Sequence, residues 1–268
     1  MAAIGRVLLT NDDGIDAPGL ACLAEIAAEV ADEVWVVAPA EDQSGMSHSV
    51  TLHHPLRLTR RGERRFAVHG TPSDCVVMAL HHLMADAPPD LILSGVNRGA
   101  NLADEVAYSG TASAAMTGLL MGTRAIALSQ AFRDRTHVRW ETARAHAPGL
   151  IRALWADWPG GVAYNLNFPD VPPDAVAGFQ ASRQGGGSIL AIDVEHRTDR
   201  RGQDYFWLGF RRHSSEAGLP RTADLGPDTD VGALRQGRVA VTPLRFDRTA
   251  HDLLAGLDGR LKALSIRG

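Results

Sequence analysis

Cysteine is scarce in this chain. The two that occur among 268 residues, Cys22 and Cys75, have neither metal-ligand spacing nor a disulfide framework around them. Both sit in apolar helical patterns, so they are expected to be core residues in a reducing compartment. No apolar run approaches the roughly 18 residues of a membrane-spanning helix. The first expected strand begins about six residues in, which leaves no room for a signal peptide. A soluble, cytoplasmic protein that does not engage membranes is the expectation. The net charge of −4 lacks the positive balance of a surface for long nucleic acid, which argues against duplex DNA and leaves nucleotides or short oligonucleotides as ligands. Two nucleotide-binding turns are also missing. Asn11 to Gly19 contains no Gly-x-Gly-x-x-Gly of a dinucleotide-dependent oxidoreductase, and nowhere is there the Gly-x-x-x-x-Gly-Lys-Ser/Thr of a P-loop kinase. No fixed-period repeat occurs. With 45% hydrophobic residues the chain can bury a sizeable core as one large α/β domain.

What the chain does have is Val7-Leu8-Leu9-Thr10-Asn11-Asp12-Asp13-Gly14, an apolar run that delivers two adjacent carboxylates into a glycine turn. A central parallel strand is buried on both faces, so such a pair is tolerated only where the strand leaves the sheet. Adjacent anions repel, and a divalent cation relieves the repulsion. Taken alone, the pair reads equally as an acidic helix-capping turn. Two later runs make the same exit from strand to polar loop: Val34 to Pro39 before Glu41-Asp42-Gln43-Ser44-Gly45, and Leu91-Ile92-Leu93 before Ser94-Gly95-Val96-Asn97. Ligands of open α/β sheets sit outside the carboxyl ends of strands. Asp12, Asp13, Ser44 and Asn97 are therefore candidate oxygen ligands for a hard cation, one per subunit, Mg²⁺ or Mn²⁺ with Ca²⁺ as a substitute, rather than for Zn²⁺. Ser109-Gly110-Thr111 opens a helix with Ala112, Ala115, Met116 and Leu119 on one face. Its free N–H groups and hydroxyls suit a phosphate or an ordinary cap.

Strands and helices alternate to about residue 170, the pattern of a parallel sheet covered on both faces. Leu20, Leu23, Ala24, Ala27 and Val30 mark the inner stripe of a first helix. Thr71-Pro72-Ser73-Asp74 reads as a capping box with Pro72 at the first helical position. Strands are expected at Ala125 to Ser129 and Ala163 to Asn167, with a helix within His137 to Trp155. About 170–245 reads as a β-rich excursion, in which Tyr205, Phe206 and Trp207 are expected to pack by strand alternation. About 249–264 reads as an amphipathic helical tail, with Leu254, Leu257, Leu261 and Leu264 in one stripe. His48, close to Ser44, could protonate a leaving alkoxide or simply be solvated.

These segments resemble, in order, the signatures of the SurE family: Asn11 to Gly14 with Ala17-Pro18-Gly19, Ala38-Pro39 with Ser44-Gly45, Gly70 to Val76, Ser94 to Asn97 with Asn101, and Tyr108 to Thr111. The likeness resumes at Arg197-Thr198-Asp199, Trp207-Leu208-Gly209, Thr229-Asp230 and Val241 to Leu244, so it covers nearly the whole chain. It implies a single Rossmann-like three-layer α/β domain over 1–268 and a metal-dependent phosphatase acting as a 5'/3'-nucleotidase. Residue by residue it assigns Asp12, Asp13, Ser44 and Asn97 to the metal, with Asp12 and Asp13 as the catalytic pair, and Asn101, Ser109, Gly110 and Thr111 to the phosphate. It further implies a homodimer or homotetramer in which the C-terminal region exchanges between subunits. Ser47, where the family more often has a small glycine-like residue, the loop Arg183 to Ser188 and Phe210 to His213 depart from the family pattern, so the resemblance does not carry substrate preference over to this chain.

The expected reaction is attack of a metal-activated water on the phosphorus of nucleoside 5'- and 3'-monophosphates, with short oligonucleotides or polyphosphate as further substrates. A covalent aspartyl-phosphate route ranks second, because a nucleophilic carboxylate should not also be a tight metal ligand. The alternative function is a metal- and nucleotide-binding regulatory module without turnover.

Overall fold

The computed structural model describes residues 4–187, 189–212, 224–262 and 264. In chain order the elements are β1 (Ile4–Thr10), α1 (Pro18–Ala28), β2 (Ala31–Pro39), β3 (Leu58–Arg60), β4 (Arg65–Val68), α2 (Pro72–Met78, extended by a π turn over Ala79–Leu83), β5 (Leu91–Arg98), α3 (Gly110–Leu120), β6 (Arg124–Gln130), α4 (Trp140–Ala156), β7 (Ala163–Phe168), β8 (Phe179–Ala181), β9 (Ile189–Thr198), β10 (Asp204–Arg212), α5 (Asp230–Arg235), β11 (Val239–Leu244) and α6 (His251–Lys262). Nine strands form one sheet in the order β3-β4-β2-β1-β5-β6-β7-β11-β8. From β4 to β7 every neighbour is parallel. β3 and β11 run antiparallel to β4 and β7, so the sheet is mixed rather than wholly parallel.

Alternation along β1 builds two cores from one strand. Val7 and Leu9 face a cluster shared with α1 and α4, while Leu8 faces one shared with α2 and α3. From β1 the chain winds outward to β2 on one side and returns to β5 on the other. That reversal is a topological switch point, and it leaves a crevice where β1 and β5 end. Gly19 decides how closely α1 approaches it: a Cβ there would lie 1.9 Å from the Val96 carbonyl oxygen. The capping box forms as expected, with the Thr71 hydroxyl accepting from the Asp74 N–H and the Asp74 carboxylate accepting from the Thr71 N–H.

The structure corrects the expected one-sided burial of α3. Gly110 to Gly118 are all buried, because the helix lies between the sheet and α2 and its small side chains permit contact on every side. At Gly118 a Cβ would come within 2.5 Å of Ile92 Cδ1. Both cysteines are free and buried, as expected, and burial raises each thiol's pKa.

Of the segment after residue 170, β8 and β11 extend the main sheet, and β9 and β10 form a separate antiparallel ribbon. Here the packing expectation fails. Phe206 and Trp207 are 59% and 60% exposed and Tyr205 is also exposed, since among the described residues no further layer covers the two-stranded ribbon. In α6 every residue is exposed, including Leu254, Leu257 and Leu261. Leu264 lies beyond the helix end. Among the described residues no helix is long and apolar enough to cross a membrane.

Two glycines separate close approach from spare helix propensity. Gly19→Ala is expected to lower stability by about 3 kcal/mol, because backbone must move to admit the methyl. Gly149→Ala, in α4 with nothing within 4 Å of the new carbon, is expected to raise it by roughly 0.5 to 1 kcal/mol. Urea denaturation checks both. Equal, small effects would show that α1 does not bear on β5 as described.

Candidate active site

At the switch point three strand ends are tied together by main-chain groups. The turn after β1 is closed by Asn11 Nδ2, which donates to the Gly14 carbonyl at 2.8 Å. Gly14 has φ +100°, a conformation that favours glycine. The Gln43 N–H donates to the Asp12 carbonyl at 2.7 Å, drawing in the loop that follows β2. In that loop Asp42 Oδ1 accepts from the Ser44 N–H at 2.8 Å. The register of β5 shifts between Ser94 and Asn97, a bulge that interrupts pairing just before the polar exit. Beyond it the Arg98 N–H donates to Asp13 Oδ2 at 3.0 Å, and Asn97 Nδ2 donates to the Gly99 carbonyl at 2.9 Å.

The result is a cleft of about 560 Å³ into which Asp12, Asp13, Ser44, Asn97, Asn101 and Ser109 all face. Six of the eight expected site residues therefore share one cavity. The other two, Gly110 and Thr111, stand behind Asp12. The Thr111 hydroxyl donates to Asp12 Oδ1 at 2.5 Å, and the Thr111 N–H bonds the same carboxylate. A Cβ on Gly110 would meet Asp12 Cβ at 2.7 Å. The positive end of α3 thus faces a carboxylate of the protein itself. Ser109 caps the helix, its Oγ accepting from the Ala112 N–H at 3.0 Å.

Burial dominates the electrostatics. Asp12, 4% exposed, has its carboxyl pKa pushed up to about 6, first by desolvation, against the Thr111 hydrogen bond and with added repulsion from Asp13. Asp13 is also raised by burial, opposed by the Arg98 N–H and guanidinium. Two neighbouring carboxylates held against their own ionisation are suited to a counter-charge. With a hydroxyl and an amide they form an all-oxygen donor set that fits a hard divalent cation. Among the described residues no group of three or more His, Cys, Asp or Glu could hold a metal, so a cation held by this acidic pair would need neutral oxygens as well.

His48 is not in the cleft. It borders a neighbouring pocket of about 330 Å³ with Phe246 and Arg248, its Nδ1 3.0 Å from Ser113 Oγ, and burial and the Arg248 charge lower its pKa. Ser47 adopts φ +52°, which explains why a glycine-like residue suits the position, and its Oγ donates to the Ala107 carbonyl at 2.7 Å. Arg197 pairs with Glu195 on the ribbon. Ser188 and His213 lie outside the described residues.

Several residues reach the site that the sequence did not assign to it. Tyr108, Phe132 and Phe210 line the cleft, with the Tyr108 and Phe210 rings 5.0 Å apart. Arg98 and Arg135 add positive charge to its lining. Asp230, fully buried, accepts from the Ala103 and Gly185 N–H groups at 2.9 Å and so anchors the loop after Asn101. Asn165, Asn167 and Ser129 surround Asn101 from below. Their one signal was the pair of amides alternating through the otherwise apolar Ala163 to Phe168.

A strand-end acidic pair, a polar crevice at a switch point and a helix entrance beside it define an α/β protein built to handle a charged ligand. The family model described as survival protein SurE matches residues 7–189. A 5'-nucleotidase SurE 1 from Burkholderia lata is 53% identical over 94% of this chain and 95% of its own length, and a 5'-nucleotidase SurE from Azorhizobium caulinodans is 49% identical over 94% and 97%. The crystal structure of a SurE protein from Aquifex aeolicus superposes with a TM-score of 0.77 at 30% identity, over 96% of this chain and 99% of that one. The chain belongs to the SurE family.

The Asp12 environment has a pH signature. In the unfolded chain this carboxyl ionises near 3.8 and in the folded, cation-free chain near 6. Its contribution to stability is therefore complete below pH 3.8 and lost as pH rises through 6, about 3 kcal/mol by pH 7. In chelator-treated protein, Asp12→Asn should melt higher than the parent near neutral pH, with the difference closing as pH falls below 4. Parallel melting curves across that range would contradict the burial argument.

Proposed function

We propose that this chain is a divalent-cation-dependent phosphomonoesterase that hydrolyses nucleoside 5'- and 3'-monophosphates. The observation that carries the reading is the convergence of Asp12, Asp13, Ser44 and Asn97 in one cleft with Asn101 and Ser109. The naming of close relatives as 5'-nucleotidases supports the substrate class.

Asp12, Asp13, Ser44 and Asn97 would hold the cation, Mg²⁺ or Mn²⁺ by donor type with Ca²⁺ accommodated as well. When bound there, such a cation supplies Lewis acidity and neutralises charge at a phosphoryl group. The chain's own residues do the rest. Asn101 and Ser109 bind the phosphoryl oxygens and align phosphorus for in-line attack by water. Gly110 and Thr111 act through Asp12, the glycine by giving it space and the threonine by fixing Oδ1. Arg98 and Arg135 bring positive charge to an anionic substrate. The aromatic wall of Tyr108, Phe132 and Phe210 offers ring faces to a nucleobase, which every base can use.

The protein is also proposed to be a homodimer or homotetramer assembled through its C-terminal region. The support is α6, whose leucine stripe is left exposed by the described residues.

Asp12→Asn or Asp13→Asn should reduce turnover of nucleoside monophosphates by at least about a thousandfold, the scale of losing a principal charge-stabilising group. Ser109→Ala should lose about tenfold, as one charge-assisted hydrogen bond. A panel of 5'- and 3'-monophosphates, short oligonucleotides and polyphosphate, run with several divalent metals, measures both; near-parental turnover in either aspartate variant at saturating metal would remove the cation assignment. Binding of nucleotide and metal with no turnover of any substrate would identify a regulatory module instead.

Truncation before Thr249 should lower the association state in sedimentation while the remaining chain stays folded. An unchanged association state would place the interface elsewhere.

A further inference from the structure

Asn101 belongs to no strand or helix, yet it is 8% exposed and bonded at every backbone polar atom. Its N–H donates to Asn167 Oδ1 at 2.8 Å, and its carbonyl accepts from Asn165 Nδ2 at 2.9 Å and Asn167 Nδ2 at 3.1 Å. Asn167 thus engages both the N–H and the C=O of one residue, as a neighbouring strand would. The Asn101 side chain is fixed separately, with Nδ2 donating to Ser129 Oγ at 2.9 Å.

The three supporting side chains, Ser129 on β6 and Asn165 and Asn167 on β7, are fully buried. Burying a polar group is unfavourable unless it is hydrogen-bonded, so three of them beneath one loop residue need a reason. Their register supplies it. Asn97 pairs laterally with Ser129, and Ser129 with Asn167, so a row across β5, β6 and β7 runs from a residue assigned to the cation to the clamp on Asn101.

We infer that Ser129 and Asn167, with Asn165, are positioning residues: they touch no substrate, and they hold the Asn101 amide at the phosphoryl group. The inference rests on the proposed phosphate role of Asn101. An amide nitrogen has two protons. One is engaged by Ser129, which fixes the plane of the amide, and the other is left to donate to a phosphoryl oxygen. Without Ser129 Oγ the amide can rotate, and without the Asn167 clamp the loop that carries it can shift. Interactions with a phosphate that depend on orientation then weaken before the fold does.

The decisive experiment is a double-mutant cycle on the full-length, metal-loaded protein, reading kcat/KM for a nucleoside monophosphate and competitive inhibition by inorganic phosphate. Asn101→Ala and Ser129→Ala should each lower kcat/KM, Ser129→Ala by about five- to tenfold, and each should weaken phosphate inhibition. Adding Ser129→Ala to Asn101→Ala should change neither quantity further. A merely structural loss at Ser129 would instead lower activity to the same degree whether or not Asn101 carries its amide, and that multiplicative result overturns the inference. Asn167→Asp keeps the size of the side chain and the acceptor for the Asn101 N–H but replaces the donor to its carbonyl with a carboxylate oxygen. It should reproduce the weakened phosphate inhibition, and parental inhibition in that variant also overturns the inference. Parental activity in Asn101→Ala would overturn the phosphate role of Asn101 as well. Loss in Asn101→Ala with parental behaviour in Ser129→Ala overturns the positioning role alone.

Discussion

Two carboxylates on consecutive residues at the buried end of the central strand are the constraint on which the site depends. Desolvation of Asp12 and Asp13 opposes their charge, and the surrounding elements are arranged to offset it. The start of α3 directs a hydroxyl and an N–H at Asp12, the bulged end of β5 directs the Arg98 N–H at Asp13, and Gly110 leaves out the side chain that would displace Asp12. Burial still outweighs these contacts, since both carboxyl pKa values stay raised. A site strained in this electrostatic sense favours whatever positive charge enters it, and the proposed cation chemistry follows from that imbalance.

Around this pair the protein uses backbone and amides more than charged side chains. Main-chain N–H groups position the acidic pair and the Ser44 loop, and Asn side chains from β7 hold the Asn101 loop where no strand is available to do so. Such contacts have short reach and fixed direction, which suits a reaction that needs alignment more than covalent participation. Asp230 applies the same device from the far end of the chain, bonding two loop N–H groups at once.

The periphery is built on the opposite principle. The β9 and β10 ribbon and α6 expose large apolar side chains, and no third layer covers them among the described residues. One end of the ribbon nevertheless reaches the site, where Phe210 meets Tyr108. Elements outside the core thereby contribute to the cleft wall, and any association that buries them would also bear on that wall.

The alternation of apolar runs and helical stripes was enough to read the parallel strands β1, β2, β5, β6 and β7, because each is largely buried by its own composition, but not the short strands and antiparallel edges around them. The acidic pair, Ser44, Asn97 and Ser109 were legible because they lie at or near the ends of elements, where the local pattern breaks, whereas Asn101 was marked only by the family resemblance. The roles of Asn165, Asn167, Ser129 and Arg135 were not legible, because their partners are distant in the chain, and although the segments holding Asp230 and Phe210 were marked, nothing local showed that they meet the site. The full burial of α3 and the exposure of Tyr205, Phe206 and Trp207 were hidden likewise, since periodicity reports which residues share a face but not whether another layer covers it. Sequence alone therefore determined the order of the elements and the kind of chemistry at their ends. Tertiary structure decided which ends meet and which groups hold them there, because hydrogen bonds and desolvation act over a few ångströms of space, whatever the separation along the chain.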